Sequence, residues 1–410
     1  MDFDFGIIGG GPAGYTVGMQ LASQGKKVIL FEQEFLGGTC LNKGCIPTKS
    51  LLHSSDVYKQ ILSAANFGLD IEIKSFDFTK IAEKRDKTVE KIRKSLELAV
   101  KNSGVNIVYA HAEVKTPQTI VANDVEYNVG EIIYATGAKP REIKGLEFDN
   151  NFILSSDDVL KLNSLPEKVL IVGSGAIGIE WARIFSNFGV EVSLVEMAEH
   201  LIPLADIDVS KRIERIFKQN KIKFYLNDCI EAISDKKVTL KSGTIVEPDF
   251  VLMAVGRVPL EYPETVKNLI GDVSGQIQLA HYAIQQGMNF ISGKSTDLNK
   301  NLIPSVIYGE PEIAWVGLRE QDCADDCQKI SLPITALGKS WCDDATEGFI
   351  KIIAKDDKIL GAHIVSKEAS ALIQQILIAM QNDVKISKLK EVCFAHPTYS
   401  EGIFEAICRI

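Results

Sequence analysis

Cys40 and Cys45 stand five residues apart in the run Gly37-Gly38-Thr39-Cys40-Leu41-Asn42-Lys43-Gly44-Cys45-Ile46-Pro47-Thr48-Lys49, whose residue types fit a reversible disulfide. In one continuous helix rising ~1.5 Å per residue the pair would sit ~8 Å apart along the axis, beyond the ~4.4–6.8 Å between Cα atoms that a disulfide accepts. The backbone must therefore curl before Cys45, and Gly37, Gly38 and Gly44 permit the curl. Pro47 favours the first turn of a helix beginning near Cys45, which puts Lys49 one turn further along the same face. A thiol at a helix N-terminus beside an ammonium has its thiolate stabilised, which is the setting of a redox cysteine. Two unrelated buried thiols would leave the glycines, the proline and the lysine without a purpose. A second group suited to thiol chemistry lies near the other end, in Phe394-Ala395-His396-Pro397-Thr398-Tyr399-Ser400-Glu401. A carboxylate five residues from a histidine can fix its tautomer and raise its basicity, making His396 with Glu401 a candidate base; by spacing alone the same residues also describe a surface turn. His281 and His363 show no comparable partner, and His53 falls on the helix after the cysteines.

Two phosphate-binding devices frame these residues. Gly9, Gly11 and Gly14 follow the apolar run Phe5-Gly6-Ile7-Ile8 and open a helix through Met19 and Leu21, after which Lys27-Val28-Ile29-Leu30-Phe31 ends in Glu32. Such glycines let backbone approach a pyrophosphate at a helix N-terminus, and an acid about twenty residues on binds ribose hydroxyls. The device recurs at Gly173, Gly175 and Gly178, after Lys168-Val169-Leu170-Ile171-Val172, with Glu191-Val192-Ser193-Leu194-Val195 ending in Glu196. First glycine and acid are equally spaced in both copies, so two dinucleotides are expected. Glu196 favours NAD over NADP, because a carboxylate there repels a 2′-phosphate. Each copy is followed later by an apolar strand ending in glycine, at Gly137 and Gly256.

The 410 residues exceed what one core organises. The polar stretch 138–166, punctuated by Pro140, Gly145 and Pro166, reads as a connection, and 349–365 alternates like strands before an amphipathic helix at 369–381. The expected fold is α/β, with two Rossmann-like three-layer domains and a C-terminal α+β domain. A net charge of −9 offers no footprint for nucleic acid or an anionic membrane. Apolar runs are too short to span a bilayer, and the early first strand leaves no room for a leader, so a cytoplasmic protein is expected. There, eight cysteines are expected to be mostly reduced, with any disulfide catalytic rather than structural. Cys323 and Cys327 lack a second Cys/His pair, so no metal site is expected.

Together the cysteine run, the paired clamps and His396-Pro397-Thr398 resemble the flavin-dependent pyridine nucleotide disulfide oxidoreductases nearly end to end. Within that family, Cys-Leu-Asn with Ile-Pro-Thr-Lys is most similar to members that oxidise dihydrolipoamide and reduce NAD. The resemblance implies an FAD domain at 1–140 completed by about 265–300, an NAD domain at 141–264, a central segment at 265–300 and a dimerisation domain at 301–410. It places FAD against Gly9, Gly11, Gly14, Glu32, Gly38, Thr39, Lys49, Ala112, Thr136, Gly137, Asp272 and Ala280. It places NAD against Gly173, Gly175, Ala176, Ile177, Gly178, Ile179, Glu196, Ile230 and Gly256. Lys49 would pair with Glu180, Cys40 would meet the substrate thiol and Cys45 would face the flavin. The resemblance further implies a homodimer in which His396 and Glu401 serve the other subunit's cysteines, with a lipoyl carrier of a 2-oxo acid dehydrogenase or glycine cleavage system as partner.

Two departures stand out. Only a dozen residues separate Gly256-Arg257-Val258-Pro259 from Asp272, where the family has a substantial segment, so a return strand is expected to be missing. Gly309, in Ile307-Tyr308-Gly309-Glu310-Pro311, stands where the family often has threonine. Other disulfide or mercuric reductases, and an FAD-binding homologue with impaired turnover, are the alternative readings; only Cys408 lies near the C-terminus, where mercuric reductases carry two adjacent cysteines.

Overall fold

A computed structural model describes residues 2–410. Parallel strands Asn106–Tyr109, Val28–Glu32, Phe3–Ile8 and Val125–Tyr134 lie side by side in that order. The last continues antiparallel into Thr119–Ala122 and Ala112–Thr116. Val28, Ile29, Leu30 and Phe31 are all buried, as consecutive residues of a parallel strand covered on both faces must be. Each such side chain contributes ~1.5–3 kcal/mol relative to exposure. Helix Pro12–Ser23 covers one face, and helix Ala280–Ile291 packs against it so closely that a Cβ at Gly287 would lie 2.7 Å from Val17 Cγ2.

In sequence between these helices the chain does make a return strand, against the expectation that it is missing. Asn268–Leu269 pairs parallel with Ile133–Tyr134, and the Ile270 N–H donates to the Tyr134 carbonyl. Two residues suffice because Ile270 is buried in the first domain's core and carries Gly271 and Asp272 back to it.

The second sheet is wholly parallel, in the order Lys223–Tyr225, Glu191–Val195, Lys168–Val172, Phe250–Met253, Ile153–Ser155. Its edge strand Ile153–Ser155 lies inside the stretch read as a connection, so only part of 138–166 is linker; three residues bounded by polar turns carry too little period to show a strand. A two-stranded ribbon, Ala138–Pro140 against Arg257–Pro259, carries the chain out to this sheet and back.

The C-terminal sheet is antiparallel, in the order Ser305–Ile307, Glu312–Gly317, Lys358–Ser366, Phe349–Lys355, Gln328–Pro333, with helix Ala369–Gln381 packed on it. Where it meets the second sheet's domain, the buried Lys351 ammonium lies 2.8 Å from Asp206 and 2.7 Å from Asp208 and also contacts Glu320. His363 is not partnerless, since its Nε2 lies 2.8 Å from the Leu318 carbonyl and 3.9 Å from Asp206. His281 Nε2 meets the Pro304 carbonyl at 2.9 Å.

The expectation that any disulfide is the catalytic one needs correction. Among the described residues the one disulfide joins Cys323 to Cys327, away from the nucleotide clamps, while Cys40 and Cys45 are thiols. The loop between the 3₁₀ turn Glu320–Asp322 and strand Gln328–Pro333 brings Cys323 and Cys327 within bonding reach across three intervening residues, which residue counting does not reveal. Among the described residues no helix is long and apolar enough to cross a membrane.

Candidate active site

The chain curls at Cys40 and Cys45 by breaking one helix into two. Helix Gly38–Lys43 stops at Gly44, whose φ of −148° and ψ of −111° leave the helical region, and helix Cys45–Leu62 begins at once. Asn42 Nδ2 donates to the carbonyls of Leu36 and Gly38, at 3.0 Å each, and holds the first turn in place. The break sets the two thiols close enough to act on each other, both in the reduced form. The interaction with Cys40, helped by the Lys49 ammonium and opposed by partial desolvation, brings Cys45 down to about 7. The same interaction followed by burial pushes Cys40 up. One sulfur of the pair is thus poised as the thiolate and the other as its donor.

Lys49 is fixed from the second domain. Its Nζ lies 2.8 Å from Glu180 Oε2, on helix Ala176–Asn187, and 4.9 Å from the centre of the Tyr308 ring. Burial pulls Lys49 down, but Glu180 outweighs it and the net shift is upward, so the ammonium stays charged beside Cys45. The Tyr308 N–H donates to Glu180 Oε1 at 3.1 Å. Nothing in the residues around Gly309 marks Tyr308 as part of the site, because it meets Glu180 and Lys49 only through the packing of the C-terminal sheet.

At the first clamp, Glu32 accepts the Gly10 N–H at 2.9 Å and the Glu34 N–H at 2.8 Å. A Cβ at Gly14 would lie 1.9 Å from the Gly9 carbonyl oxygen, so helix and strand approach here only without a side chain. Gly38 abuts Gly11, and Thr39 follows it into the cysteine helix. Gly137 has φ +85° beyond strand Val125–Tyr134, and the Thr136 Oγ1 is buried with no hydrogen-bond partner. Asp272 is half-buried; desolvation raises it against the pull of Arg257, and its charge acts on Cys40. Ala112 begins a strand and Ala280 opens helix Ala280–Ile291. An orphaned hydroxyl, a helix N-terminus without side chains and a carboxylate near the thiols fit a bound FAD.

The second clamp repeats the first. Glu196 accepts the Ser174 N–H at 2.8 Å, its hydroxyl at 2.7 Å and the Ala198 N–H at 2.8 Å. A Cβ at Gly178 would lie 2.0 Å from the Gly173 carbonyl oxygen. Gly175 and Ala176 are exposed, Ile177 and Ile230 half-buried, and Gly256 has φ +96° with open space around it. Ile179 is fully buried in the core beneath, so its side chain does not line the clamp.

His396 Nδ1 lies 2.7 Å from Glu401 Oε1, and the Thr398 N–H donates to Glu401 Oε2 at 2.8 Å. The Thr398 bond, then His396, hold the Glu401 carboxyl below its ordinary range. His396 is 77% exposed, and among the described residues no hydrogen bond or ion pair of this chain joins it to Cys40 or Cys45. Its Nε2 makes no hydrogen bond among the described residues.

Residues 3–265 match the pyridine nucleotide-disulphide oxidoreductase family, and residues 303–407 match that family's dimerisation domain. A dihydrolipoyl dehydrogenase of Bacillus subtilis is 32% identical over 461 aligned positions, covering 99% of this chain and 97% of the relative. One of Chlamydia muridarum is 33% identical, covering 97% and 95%. The alignments outrun the 410 residues here, so these relatives carry segments this chain lacks. Among solved structures, LpdA of Mycobacterium tuberculosis superposes with a TM-score of 0.90 at 23% identity, covering 99% of each chain, which shows the shared fold.

Proposed function

The chain belongs to the pyridine nucleotide-disulphide oxidoreductases, and from that premise we propose that it is a dihydrolipoyl dehydrogenase, oxidising dihydrolipoamide and reducing NAD. One observation carries the reading: a pair of neighbouring free thiols set against the Lys49–Glu180 ion pair beside a clamp that fits FAD. FAD, when bound, takes two electrons from the thiols and supplies hydride to NAD.

The residues then have distinct tasks. In the oxidised pair, a dihydrolipoamide thiolate attacks Cys40 Sγ, the Cys40–Cys45 bond breaks, and Cys45 leaves as a thiolate held by Lys49. The second substrate thiolate attacks the substrate sulfur of the mixed disulfide, closing lipoamide and releasing Cys40. His396, oriented by Glu401, takes the substrate's proton at Nε2. The dimerisation domain supports a homodimer, and in it His396 of each subunit would serve the other's thiols. Gly9 to Gly14 with Glu32 and Thr136 would hold FAD, and Gly173 to Gly178 with Glu196 would hold NAD. The substrate's lipoyl group would arrive on a carrier protein of a 2-oxo acid dehydrogenase or glycine cleavage system, in the cytoplasm.

The shortened chain after Pro259 favours one other reading, an FAD-binding homologue with little turnover. Anaerobic titration of the flavin-loaded protein with NADH separates them. The proposed enzyme bleaches and develops a long-wavelength thiolate band, and then reduces NAD when given dihydrolipoamide. A yellow protein indifferent to both reagents would overturn the proposal.

A further inference from the structure

We infer that Arg183, seated in the space left by Gly309, is a positioning residue that holds the Lys49–Glu180 pair and thereby sets the readiness of the Cys45 thiol. The inference deepens the functional reading and rests on Cys45 being the thiol that Lys49 serves.

Arg183 lies three residues beyond Glu180 on helix Ala176–Asn187 and is buried. Its Nη1 donates to the Tyr308 carbonyl at 3.1 Å and the Pro311 carbonyl at 2.7 Å, spanning the turn between two strands of the C-terminal sheet. Tyr308 in turn gives its N–H to Glu180 and its ring to Lys49. One guanidinium therefore fixes the segment that fixes both members of the pair. Gly309 makes this possible. Its φ is +131°, and a Cβ there would lie 2.3 Å from Arg183 Nη1 and 2.7 Å from its Cδ. Any larger residue displaces the guanidinium, so Gly309 and Arg183 form a matched pair.

The guanidinium also has an electrostatic side. Its Nη2 is buried without a partner, and the residue lines a small cavity with Asp56, Lys59, Asn187, Asn220 and Glu310. Asp56, Glu180 and Glu312 attract the cation, and Lys59 is repelled by it. Asp56 comes from the Cys45 helix itself, and burial followed by the Glu310 charge raises it to about 6. Around Cys45 stand Cys40, Lys49, Glu180 and Tyr308. Arg183 thus adds positive potential behind Glu180, and ionised Asp56 offsets it.

The test is the pH dependence of Cys45 alkylation by iodoacetamide in the reduced full-length protein, read at the Cys45 peptide by mass spectrometry. Arg183→Met should move the midpoint upward and slow alkylation at neutral pH by at least about threefold. Gly309→Ala should act in the same direction by evicting the guanidinium. Asp56→Asn should leave neutral-pH alkylation at least as fast as in the unaltered protein. A purely structural loosening of the cavity would slow all three, so slower alkylation in Asp56→Asn overturns the inference. So does an unmoved midpoint in Arg183→Met or, should that variant fail to fold, in Gly309→Ala. The measurement uses neither dihydrolipoamide nor NAD, so a failed turnover assay sinks the functional reading without touching this one.

Discussion

In the first clamp Glu32 reaches back to the Gly10 N–H, and in the second Glu196 reaches back to the Ser174 N–H, across the same interval of chain and with distances of 2.9 and 2.8 Å. Gly14 and Gly178 meet the carbonyls of Gly9 and Gly173 with equal closeness. What lies over the two clamps differs. Gly38 of the cysteine segment presses on Gly11 so tightly that its Cβ would lie 2.7 Å from the Gly11 Cα, and Gly271 packs against Ala13 on the helix behind. A Cβ at Gly11 would meet Gly38 at 3.8 Å, whereas one at its counterpart Gly175 would meet nothing within 4 Å; Gly137 and Gly256 are open alike. A covered clamp suits a cofactor that stays through many turnovers; an open one suits a nucleotide that enters and leaves in each.

The sharpest attack falls on the thiols carried by the segment that covers the first clamp. Cys40→Ser or Cys45→Ser should lower dihydrolipoamide-dependent NAD reduction by at least about a thousandfold while flavin absorbance persists, because only the exchange step is lost. Turnover within tenfold of the parent would detach the thiols from the reaction. In the intact protein, Cys45 near 7 means thiolate above that pH and thiol below it. Alkylation of the reduced protein should therefore be slow in acid and rise through neutrality, with Cys40 lagging into alkali; the reverse order at the two peptides would exchange their roles.

A smaller loss is expected at the exposed base. His396→Gln should cost about a hundredfold in kcat for thiol oxidation, the ordinary worth of a positioned proton acceptor. Reduction of the flavin by NADH should be untouched, since it runs through the clamps alone. Near-normal thiol turnover would make His396 and Glu401 a surface turn.

Much of this was legible in the residues because spacing records local geometry. Glycines that a Cβ would push into carbonyls, and acids at fixed intervals after them, mark both clamps; Pro47 after Cys45 marks the helix start. What stayed hidden depends on distant chain segments. Tyr308 and Arg183 meet Glu180 only after the C-terminal sheet docks, and Ile153–Ser155 becomes a strand only by pairing with Phe250–Met253. The return strand Asn268–Leu269 is too short for any period to show. Whether Cys40 and Cys45 are joined is a matter of electrons, on which the order of residues is silent.

The open clamp can be probed without disturbing the covered one. Gly178→Ala places a carbon 2.0 Å from the Gly173 carbonyl oxygen and should raise the KM for NAD by about tenfold with flavin content unchanged. Loss of flavin in this variant would show that the two domains do not act separately.

The mildest change should fall on nucleotide choice. Glu196 already accepts three hydrogen bonds, from the Ser174 N–H and hydroxyl and the Ala198 N–H, and of a carboxylate's roughly four acceptor sites one remains, on Oε1, for a ribose hydroxyl. Glu196→Gln retains an acceptor oxygen and removes the negative charge. NAD binding should weaken by only about threefold, while the preference for NAD over NADP, taken as the ratio of their kcat/KM values, should narrow about fivefold as repulsion of the 2′-phosphate is relieved. An unchanged ratio would mean that another group reads the ribose and that Glu196 serves chiefly to fasten its own glycine turn.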